Sequence, residues 1–289
     1  RRFKPNLRIP RLNLVLFLAT LATTLGAGYM QSLSLVKLGV LDSPWQGAIA
    51  FCIGIIGIIG CHEMGHKLMA NRRGIEASFP YFIPAPTFIG TFGAVIRMKT
   101  RFEDRNSLFD VGAAGPIAGI LVAIPVTILG LLWSFPVPDE FAGGISLPVP
   151  FLFQWLEDWL VNLPSEKTVL LHPLAFAGWV GMIITMLNLM PVGMLDGGHI
   201  SRALFGNKKL GRSSFRPSVH KVVSLIGVGV TAILGYWLMA VLMLFFGMVG
   251  HPGPVEDTIP LTKGRKVMGI GLFFLLVICA TPLTGIVLK

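Results

Sequence analysis

Long apolar stretches, separated by short polar or basic segments, run along almost the whole chain. Six of them come close to, or exceed, the roughly 20 residues that an α-helix needs to cross a hydrocarbon core. The pattern therefore predicts six membrane-spanning helices, at about 12–29, 44–70, 111–133, 173–189, 222–249 and 267–288. Pro44 suits the first turn of the second helix, and Pro191 and Gly193 interrupt the chain after the fourth.

The apolar segment 76–100 lacks the pattern of a long helix. Five helix-breaking residues interrupt it, namely Pro80, Pro84, Pro86, Gly90 and Gly93. Its second half, 91–98, has the pattern of a strand that follows a turn. We therefore expect a short re-entrant β-hairpin, surrounded by protein because lipid offers no hydrogen-bond partners to irregular backbone.

One further segment, 151–163, has the pattern of an amphipathic helix. Trp155 and Trp159 lie four residues apart, where both belong to one face. Tryptophan favours the boundary between lipid and water, so we expect this helix to lie on the outer membrane surface.

Composition agrees with a membrane protein, since 53% of the 289 residues are hydrophobic and 13% are charged. Soluble domains carry about 25% charged residues. No segment between the apolar runs is long enough to bury a core of its own. The sequence thus predicts an all-α polytopic membrane protein, with about six transmembrane helices and a short re-entrant β-hairpin, in a single domain at 1–289.

The net charge of +10 is distributed in a way that indicates topology rather than nucleic-acid binding. Basic residues gather at 1–11, 67–105 and 202–221, whereas the segment 136–172 is acidic. The positive-inside rule then places the three basic clusters in the cytoplasm and the acidic loop outside. With six spans, the loop 251–266 would also lie outside. The expected location is the plasma or inner membrane, with the lipid bilayer as a partner and no nucleic acid.

Only two of the fourteen acidic residues, Glu63 and Asp196, fall inside predicted apolar segments. A charge in the bilayer costs at least ~2.5 kcal/mol, so each marks a candidate functional site. Glu63 belongs to the sequence His62-Glu63-Met64-Gly65-His66. Residues four apart share a helix face, so both imidazoles can bind one Zn²⁺ with the carboxylate beside it. The spacing from Arg72 places this site on the order of 10–15 Å below the cytoplasmic surface.

A catalytic zinc has three protein ligands and an open fourth position. Asp196 is the candidate for the third ligand, because the nearby proline and glycines break the helix and let its carboxylate turn inward. For Asp196 alone, an ordinary helix-end position at the interface is the competing interpretation.

The two motifs together resemble the site-2 protease family of intramembrane zinc metalloproteases. The second motif is the pattern Asn-x-x-Pro-x-x-x-Leu-Asp-Gly at 188–197. The resemblance covers nearly the whole chain and favours the branch without a PDZ domain. It implies one zinc ion bound by His62, His66 and Asp196, with Glu63 as general base. It also implies that Asn188 holds the substrate backbone or the developing oxyanion.

The predicted function is therefore a zinc endopeptidase that hydrolyses peptide bonds in or near transmembrane segments of other proteins. A protease binds its substrate extended, and a free strand edge pairs with such a backbone. The strand-like candidate is the hairpin, which gives Phe92, Gly93, Ala94 and Val95 as expected substrate-binding residues. The hairpin as a mere plug of the cavity is the alternative interpretation.

Two other functions use the same residues. A metal-ion transporter could relay ions through His62, His66 and Asp196, but it has no need of Glu63 and would be expected to show a matching inverted half. A catalytically silent binding protein usually lacks a ligand or the base, and none is missing. We expect Gly112, Gly115 and Gly119 to form a helix-packing stripe, and the other histidines to be structural.

Overall fold

The computed structural model describes residues 9–138, 149–161, 167–206, 219–233, 237–248 and 253–281. The helices in these ranges are α1 Arg11–Lys37, α2 Pro44–Arg72, α3 Arg105–Leu132, α4 Phe151–Val161, α5 Pro173–Leu189, α6 Asp196–Phe205, α7 Val219–Ile233, α8 Trp237–Met248 and α9 Lys263–Cys279. The strands are β1 Tyr81–Pro84, β2 Thr91–Val95, β3 Phe135–Pro138 and β4 Lys167–Leu170.

Three helices, α1, α2 and α3, are long and apolar enough to cross a membrane. They contain 27, 29 and 28 residues, and α5 and α7 are shorter apolar helices. The chain is therefore a multi-pass membrane protein, as its hydropathy predicted. The predicted count of six spans is not reproduced by the helices that the structure describes.

Small residues let α2, α3 and α5 pack closely around the centre of the molecule. A Cβ atom at Gly130 of α3 would lie 2.1 Å from the backbone nitrogen of Ala175, and one at Gly178 of α5 would lie 2.1 Å from the hydroxyl of Thr127. Helices approach this closely only where side chains are absent, as in other membrane helix pairs. A Cβ atom at Gly65 of α2 would likewise lie 2.6 Å from the Ala114 carbonyl oxygen of α3, so the three helices form one closely packed frame.

Helix α3 begins at Arg105, six residues before the predicted span, because a capping box precedes the apolar run. The Asp104 carboxylate accepts from the Ser107 backbone N–H at 2.7 Å, and the Ser107 hydroxyl accepts from the Asp104 N–H at 3.2 Å. Burial alone would raise the pKa of Asp104, but hydrogen bonds from Ser107 and Asn106 and the charge of Arg73 hold it below its usual value. Such a cap stabilises a helix start by ~1 kcal/mol.

The predicted hairpin is present as the antiparallel pair β1–β2, with Tyr81 opposite Val95 and Phe82 opposite Ala94. Strand β2 ends at Val95, earlier than the predicted 98. The hairpin packs on α1: the Thr23 hydroxyl donates to the Gly90 carbonyl at 2.6 Å. Gly90 has a φ of 79°, and a Cβ there would lie 2.5 Å from the Thr23 carbonyl oxygen, so only glycine fits this turn.

The segment predicted as a fifth span, 222–249, is not one helix. The hydroxyl of Thr231 in α7 lies 3.6 Å from the sulfur of Met243 in α8. In a continuous helix, residues twelve apart are ~18 Å apart, so the chain reverses between α7 and α8. The single-span prediction was therefore wrong, since an unbroken apolar run does not distinguish one long helix from two short ones.

Residues at the start of α7 and after the end of α8 both contact α6. His220, at the start of α7, hydrogen-bonds the Ser201 hydroxyl at 2.9 Å. After α8, Asp257 accepts two hydrogen bonds from the Arg202 guanidinium at 3.0 and 3.1 Å. The chain thus returns to α6 after α8.

Helix α9 consequently begins at the end of the molecule where α3 also begins. The Arg265 guanidinium donates two hydrogen bonds to Asp110, at 2.7 and 2.8 Å, and Arg73 at the end of α2 pairs with the same carboxylate. At its far end, the Ala280 carbonyl accepts from the Phe151 N–H at 3.0 Å. The prediction that the loop 251–266 lies on the opposite side from 67–105 is therefore wrong for its described part, 253–266, because α7–α8 brings the chain back.

The amphipathic segment forms α4, which ends at Val161. Phe153 and Leu156 are buried in the core, while Trp155 and Trp159 are 63% and 66% exposed and stack on each other. The helix and its two faces are thus as predicted. The short antiparallel pair β3–β4, whose strands have α4 between them in the sequence, was not predicted, because Pro136 and Pro138 are unusual in a strand.

Candidate metal centre and active site

Helix α2 holds His62 and His66 one turn apart on the face that meets α3 and α5. Their side chains are buried, and their Nε2 atoms are 3.2 Å apart. Arg72 ends the helix six residues after His66. The motif therefore lies inside the helical frame, with both ring nitrogens converging on one point.

Asp196 reaches the same point from a different element. Helix α5 ends at Leu189, and after a short turn Asp196 is the first residue of α6. Its Oδ2 atom lies 3.1 Å from Nε2 of His62, and its Oδ1 atom lies 3.2 Å from Nε2 of His66. The structure thus brings together the three residues that the sequence predicted as ligands.

The two positions after Asp196, at the start of α6, have room only for glycine. A Cβ atom at Gly197 would lie 1.9 Å from the Leu189 carbonyl oxygen, and one at Gly198 would lie 2.2 Å from the Gly193 carbonyl oxygen. Any side chain there would push α6 away from the end of α5. The glycines therefore fix where the Asp196 carboxylate lies.

A zinc ion fits this arrangement. The Nε2 atoms of His62 and His66 are 3.2 Å apart, and each lies close to one oxygen of the Asp196 carboxylate, His62 to Oδ2 at 3.1 Å and His66 to Oδ1 at 3.2 Å. Ligands ~2.0–2.1 Å from a tetrahedral zinc lie ~3.3–3.4 Å from one another, which is close to the observed separations. Within the described ranges, these three residues form the group positioned to bind one metal ion.

The hydrogen bond from His66 to the backbone orients its ring for metal binding. Nδ1 of His66 lies 2.7 Å from the Val111 carbonyl oxygen. A carbonyl only accepts, so Nδ1 carries the proton and Nε2 keeps its lone pair for a metal. Support of this kind fixes the tautomer and the direction of a metal-binding imidazole.

The glycine stripe of α3 gives the imidazoles their space. A Cβ atom at Gly115 would lie 2.0 Å from Nε2 of His66, and one at Gly119 would lie 3.1 Å from Nδ1 of His62. A Cβ at Gly112 would lie 2.9 Å from the Cβ of His199. The stripe is a helix-packing surface, as expected, and what it packs against is the metal centre.

Glu63 lies beside the metal centre and is 8% exposed. The backbone N–H of Ile96, the residue that follows β2, is directed at its carboxylate. The hairpin therefore reaches the acidic residue directly. The sequence did not single out Ile96, although its place after a predicted strand was the available signal.

Asn188 is in the last turn of α5, and its Nδ2 atom lies 3.3 Å from Nε2 of His62. This places an amide donor next to the point where the three ligand atoms converge. A substrate carbonyl bound there would be within reach of the amide, so the predicted role of Asn188 is geometrically possible.

The four residues predicted to bind substrate lie in β2. Phe92 and Val95 are 72% and 52% exposed, and no atom comes within 4 Å of a Cβ placed at Gly93. β1 covers one edge of β2, and in the described part of the chain no strand pairs with the other edge. Successive backbone N–H groups alternate between the two edges of a strand. Since the Ile96 N–H is directed at Glu63, the Ala94 N–H is on the same, open side.

Lys67 connects the metal-binding helix to the hairpin and was not predicted as a site residue. It is buried, and its ammonium donates to the Ala77 carbonyl at 2.9 Å. The same ammonium lies 4.2 Å from the centre of the Phe79 ring, a cation–π contact. Lys67 therefore holds the segment that leads into β1 against α2.

The other histidines that the structure describes make packing and capping contacts. The His199 ring packs on Phe102, with centroids 5.5 Å apart, and is outside the group of three. His172 caps α5 by accepting from the Leu174 N–H at 3.1 Å. His251, predicted at a span end, lies outside the described residues.

Two plant proteins that are named as probable zinc metalloproteases are similar in sequence to this chain. The chain is 36% identical over 175 residues to "Probable zinc metalloprotease EGY1, chloroplastic" of Arabidopsis thaliana, covering 57% of this chain and 31% of that protein. It is 30% identical over 255 residues to "Probable zinc metalloprotease EGY2, chloroplastic" of the same plant, covering 85% of this chain and 43% of that protein. The chain thus spans less than half the length of these relatives.

The sequence model of Peptidase family M50 matches residues 50–234. This range contains residues 50–72 of α2, the hairpin, α3, α5 and α6, and so every residue of the metal centre. On this match, over more than half of its length, the chain belongs to peptidase family M50, the site-2 protease family.

Proposed function

We propose that this protein is an intramembrane zinc endopeptidase that hydrolyses peptide bonds in or near transmembrane segments of membrane proteins. The observation that carries the proposal is the convergence of His62, His66 and Asp196 on one point, with Glu63 alongside. Three ligands leave a fourth position open on a tetrahedral zinc, which is the arrangement of catalytic sites. The relatives named as probable zinc metalloproteases support the same activity.

When bound at this site, zinc would acidify a water molecule and polarise the scissile carbonyl. Glu63 takes a proton from the attacking water as the new C–O bond forms. The same carboxyl then gives the proton to the leaving amine nitrogen as the C–N bond breaks. Asn188 donates its amide N–H to the carbonyl oxygen, on which negative charge develops.

The open edge of β2 is the proposed place for the substrate backbone. The proposed substrate-binding residues Phe92, Gly93, Ala94 and Val95 belong to this strand. Ala94 has its N–H on the open edge, and the next N–H on that edge, that of Ile96, is directed at Glu63. A segment paired with β2 would therefore run past the proposed base. Helical substrates must unwind there, because a strand edge pairs only with extended backbone.

We further propose a topology in which the metal centre lies towards the cytoplasmic side of a plasma or inner membrane. The chain would cross five times, by α1, α2, α3, α5 with α6, and α9. The pair α7–α8 would enter the membrane and return to the same side. The basic residues around Arg73, Arg202 and Arg265 share one end of the molecule, which supports this orientation by the positive-inside rule.

The alternative of a metal-ion transporter uses the same three ligands. The position of the Ile96 N–H beside Glu63 counts against it, because an ion pathway has no use for a strand edge aligned with an acidic residue. Many transporters are also built from two inverted halves, and this sequence does not show that pattern.

The test is cleavage of single-span membrane proteins by the purified chain in lipid vesicles, with zinc supplied. Glu63→Gln keeps the shape of the side chain and removes the base, so cleavage should fall by about 10²–10⁴-fold while zinc remains bound. Glu157→Gln on α4, at the opposite end of the molecule, is the matched control and should retain full activity. Equal cleavage by the parent and Glu63→Gln would overturn the mechanism. Zinc transport without cleavage would replace the protease by the transporter.

A further inference from the structure

An apolar cleft of about 520 Å³ opens between α6, α7 and α9, on the outside of the turn that carries Asp196. Its walls are almost entirely apolar, with Leu189, Ile200 and Leu204 on one side and Ile270 and Phe273 on the other. A volume of this size is in the range of small-molecule sites. The residues of the metal centre do not line it, so it is separate from the proposed active site.

One charged residue lines the cleft, at the end near the basic face. Lys266 is in the first turn of α9, one residue after Arg265, whose guanidinium is bonded to Asp110. Lys266 is exposed, and among the described residues its ammonium has no acidic partner. A free cation at the mouth of an apolar cleft matches the chemistry of an anionic amphiphile.

In the proposed topology, the part of the cleft farther from Lys266 faces the surrounding lipid. Ile270 and Phe273 line it and are 70% and 66% exposed. Lys266 and Leu276, at its two ends on α9, are ten residues apart, which is ~15 Å along a helix. The cleft therefore extends from headgroup level towards the membrane interior, in the direction of an acyl chain.

The lining also distinguishes a lipid from an extended peptide. A peptide backbone in the membrane needs partners for its N–H and C=O groups. The polar side chains in the lining are Lys266 and Ser201, and the Ser201 hydroxyl is already bonded to His220 and to the Gly198 carbonyl. An acyl chain needs no such partners.

We propose that this cleft binds an acyl chain of an anionic phospholipid, whose phosphate is held by Lys266. The occupant would fill the space between α9 and the residues on either side of the metal-ligand turn, Leu189 and Ile200. It would thereby pack against the side of α6 that does not face the metal centre. This site is independent of whether the protein cleaves peptides.

The experiment uses the full chain in nanodiscs of phosphatidylcholine that contain either photoactivatable phosphatidylglycerol or photoactivatable phosphatidylcholine. Crosslinked residues are mapped by peptide mass spectrometry. Phosphatidylglycerol should label the peptides of α6 and α9 that line the cleft about fivefold more than phosphatidylcholine, the effect of one basic residue near anionic headgroups. Lys266→Gln should remove this difference, whereas Lys263→Gln, on the same helix but outside the cleft, should keep it.

A second pair of variants tests the cleft itself. Ile270→Trp fills it and should reduce labelling by both lipids, while Met268→Trp, also exposed on α9 but outside the lining, should not. Equal labelling by the two lipids in the parent chain would overturn the proposal. Unchanged labelling in Ile270→Trp would do the same. Displacement of the lipid by a transmembrane substrate, with cleavage of that substrate, would assign the cleft to the substrate instead.

Discussion

A Cβ atom at Gly115 would lie 2.0 Å from Nε2 of His66, so the third helix and a metal-binding imidazole occupy adjoining space with none to spare. Gly115→Ala should therefore displace the ring and lower zinc occupancy in the purified protein. Gly26→Ala on α1 is the control, since no atom comes within 4 Å of a Cβ there. Metal analysis of both variants is the measurement. Full zinc content in Gly115→Ala would mean that the imidazole tolerates the methyl group by moving without loss of the site.

Asp196→Ala removes the one anionic ligand of the proposed centre. Zinc affinity should fall by well over tenfold, because even partners outside the ligand set are worth about 10–100-fold. Competition with a chelator measures the affinity directly and does not depend on peptidase activity. Asp158→Ala, on α4, removes an aspartate at the opposite end and should bind zinc like the parent. Unaltered affinity in Asp196→Ala would exclude this residue as a ligand.

The backbone of Ala94 offers a sharper test of substrate binding. Its N–H is on the open edge of β2, so Ala94→Pro removes a donor from the proposed substrate strand without removing a bond to β1. Cleavage should fall by tenfold or more while zinc content is unchanged. Val95→Pro removes an N–H that faces β1, and is expected to destabilise the hairpin and lower the melting temperature as well. If Ala94→Pro cleaves normally, the hairpin serves as a plug.

Lys67 is expected to act as a positioning residue for the hairpin. Lys67→Met leaves the Ala77 carbonyl without its buried donor, which costs ~1–3 kcal/mol of stability. In the proposed protease, the looser hairpin should raise KM more than it lowers kcat. Lys99→Met removes an exposed lysine that pairs with Glu76, and should change neither value. Partial recovery of KM in Lys67→Arg would support the role. A fall in kcat with KM unchanged would instead place Lys67 in the chemical step.

The proposed topology is testable with single cysteines and an impermeant thiol reagent. Val255→Cys and Trp159→Cys replace side chains that are 72% and 66% exposed. Val255 is tied by its backbone to Phe102, so it should be labelled from the same side as Arg101→Cys and from the opposite side to Trp159→Cys. Labelling of Val255→Cys and Trp159→Cys from one side would restore the six-span arrangement. The exposed native Cys61 sets the background in the parent chain.

The metal centre was predictable because its ligands can be recognised from short stretches of sequence. The spacing of His62 and His66 determines a shared helix face whatever surrounds it. Asp196 was identified because a charge in an apolar run has few structural purposes. The earlier start of α3 was also readable in principle, since Asp104 and Ser107 form a cap within four residues.

The parts that the sequence missed depend on contacts between distant segments. Nothing in the hydropathy of 222–249 distinguishes a single span from the pair α7–α8, because both bury the same apolar residues. The contact between Thr231 and Met243 distinguishes them. Likewise, the direction of the Ile96 N–H towards Glu63 depends on which edge of β2 pairs with β1, a choice that the strand pattern alone leaves open.

The return of the chain to α6 determines which side of the proposed membrane each end of α9 faces. Because α9 begins next to Asp110 and ends next to Phe151, this one helix connects the two ends of the described structure. With the proposed orientation, a protein or ligand that contacted α9 near Ala280 would lie on the far side of the membrane from the ion pair of Arg265 with Asp110, where the metal-binding helix α2 ends.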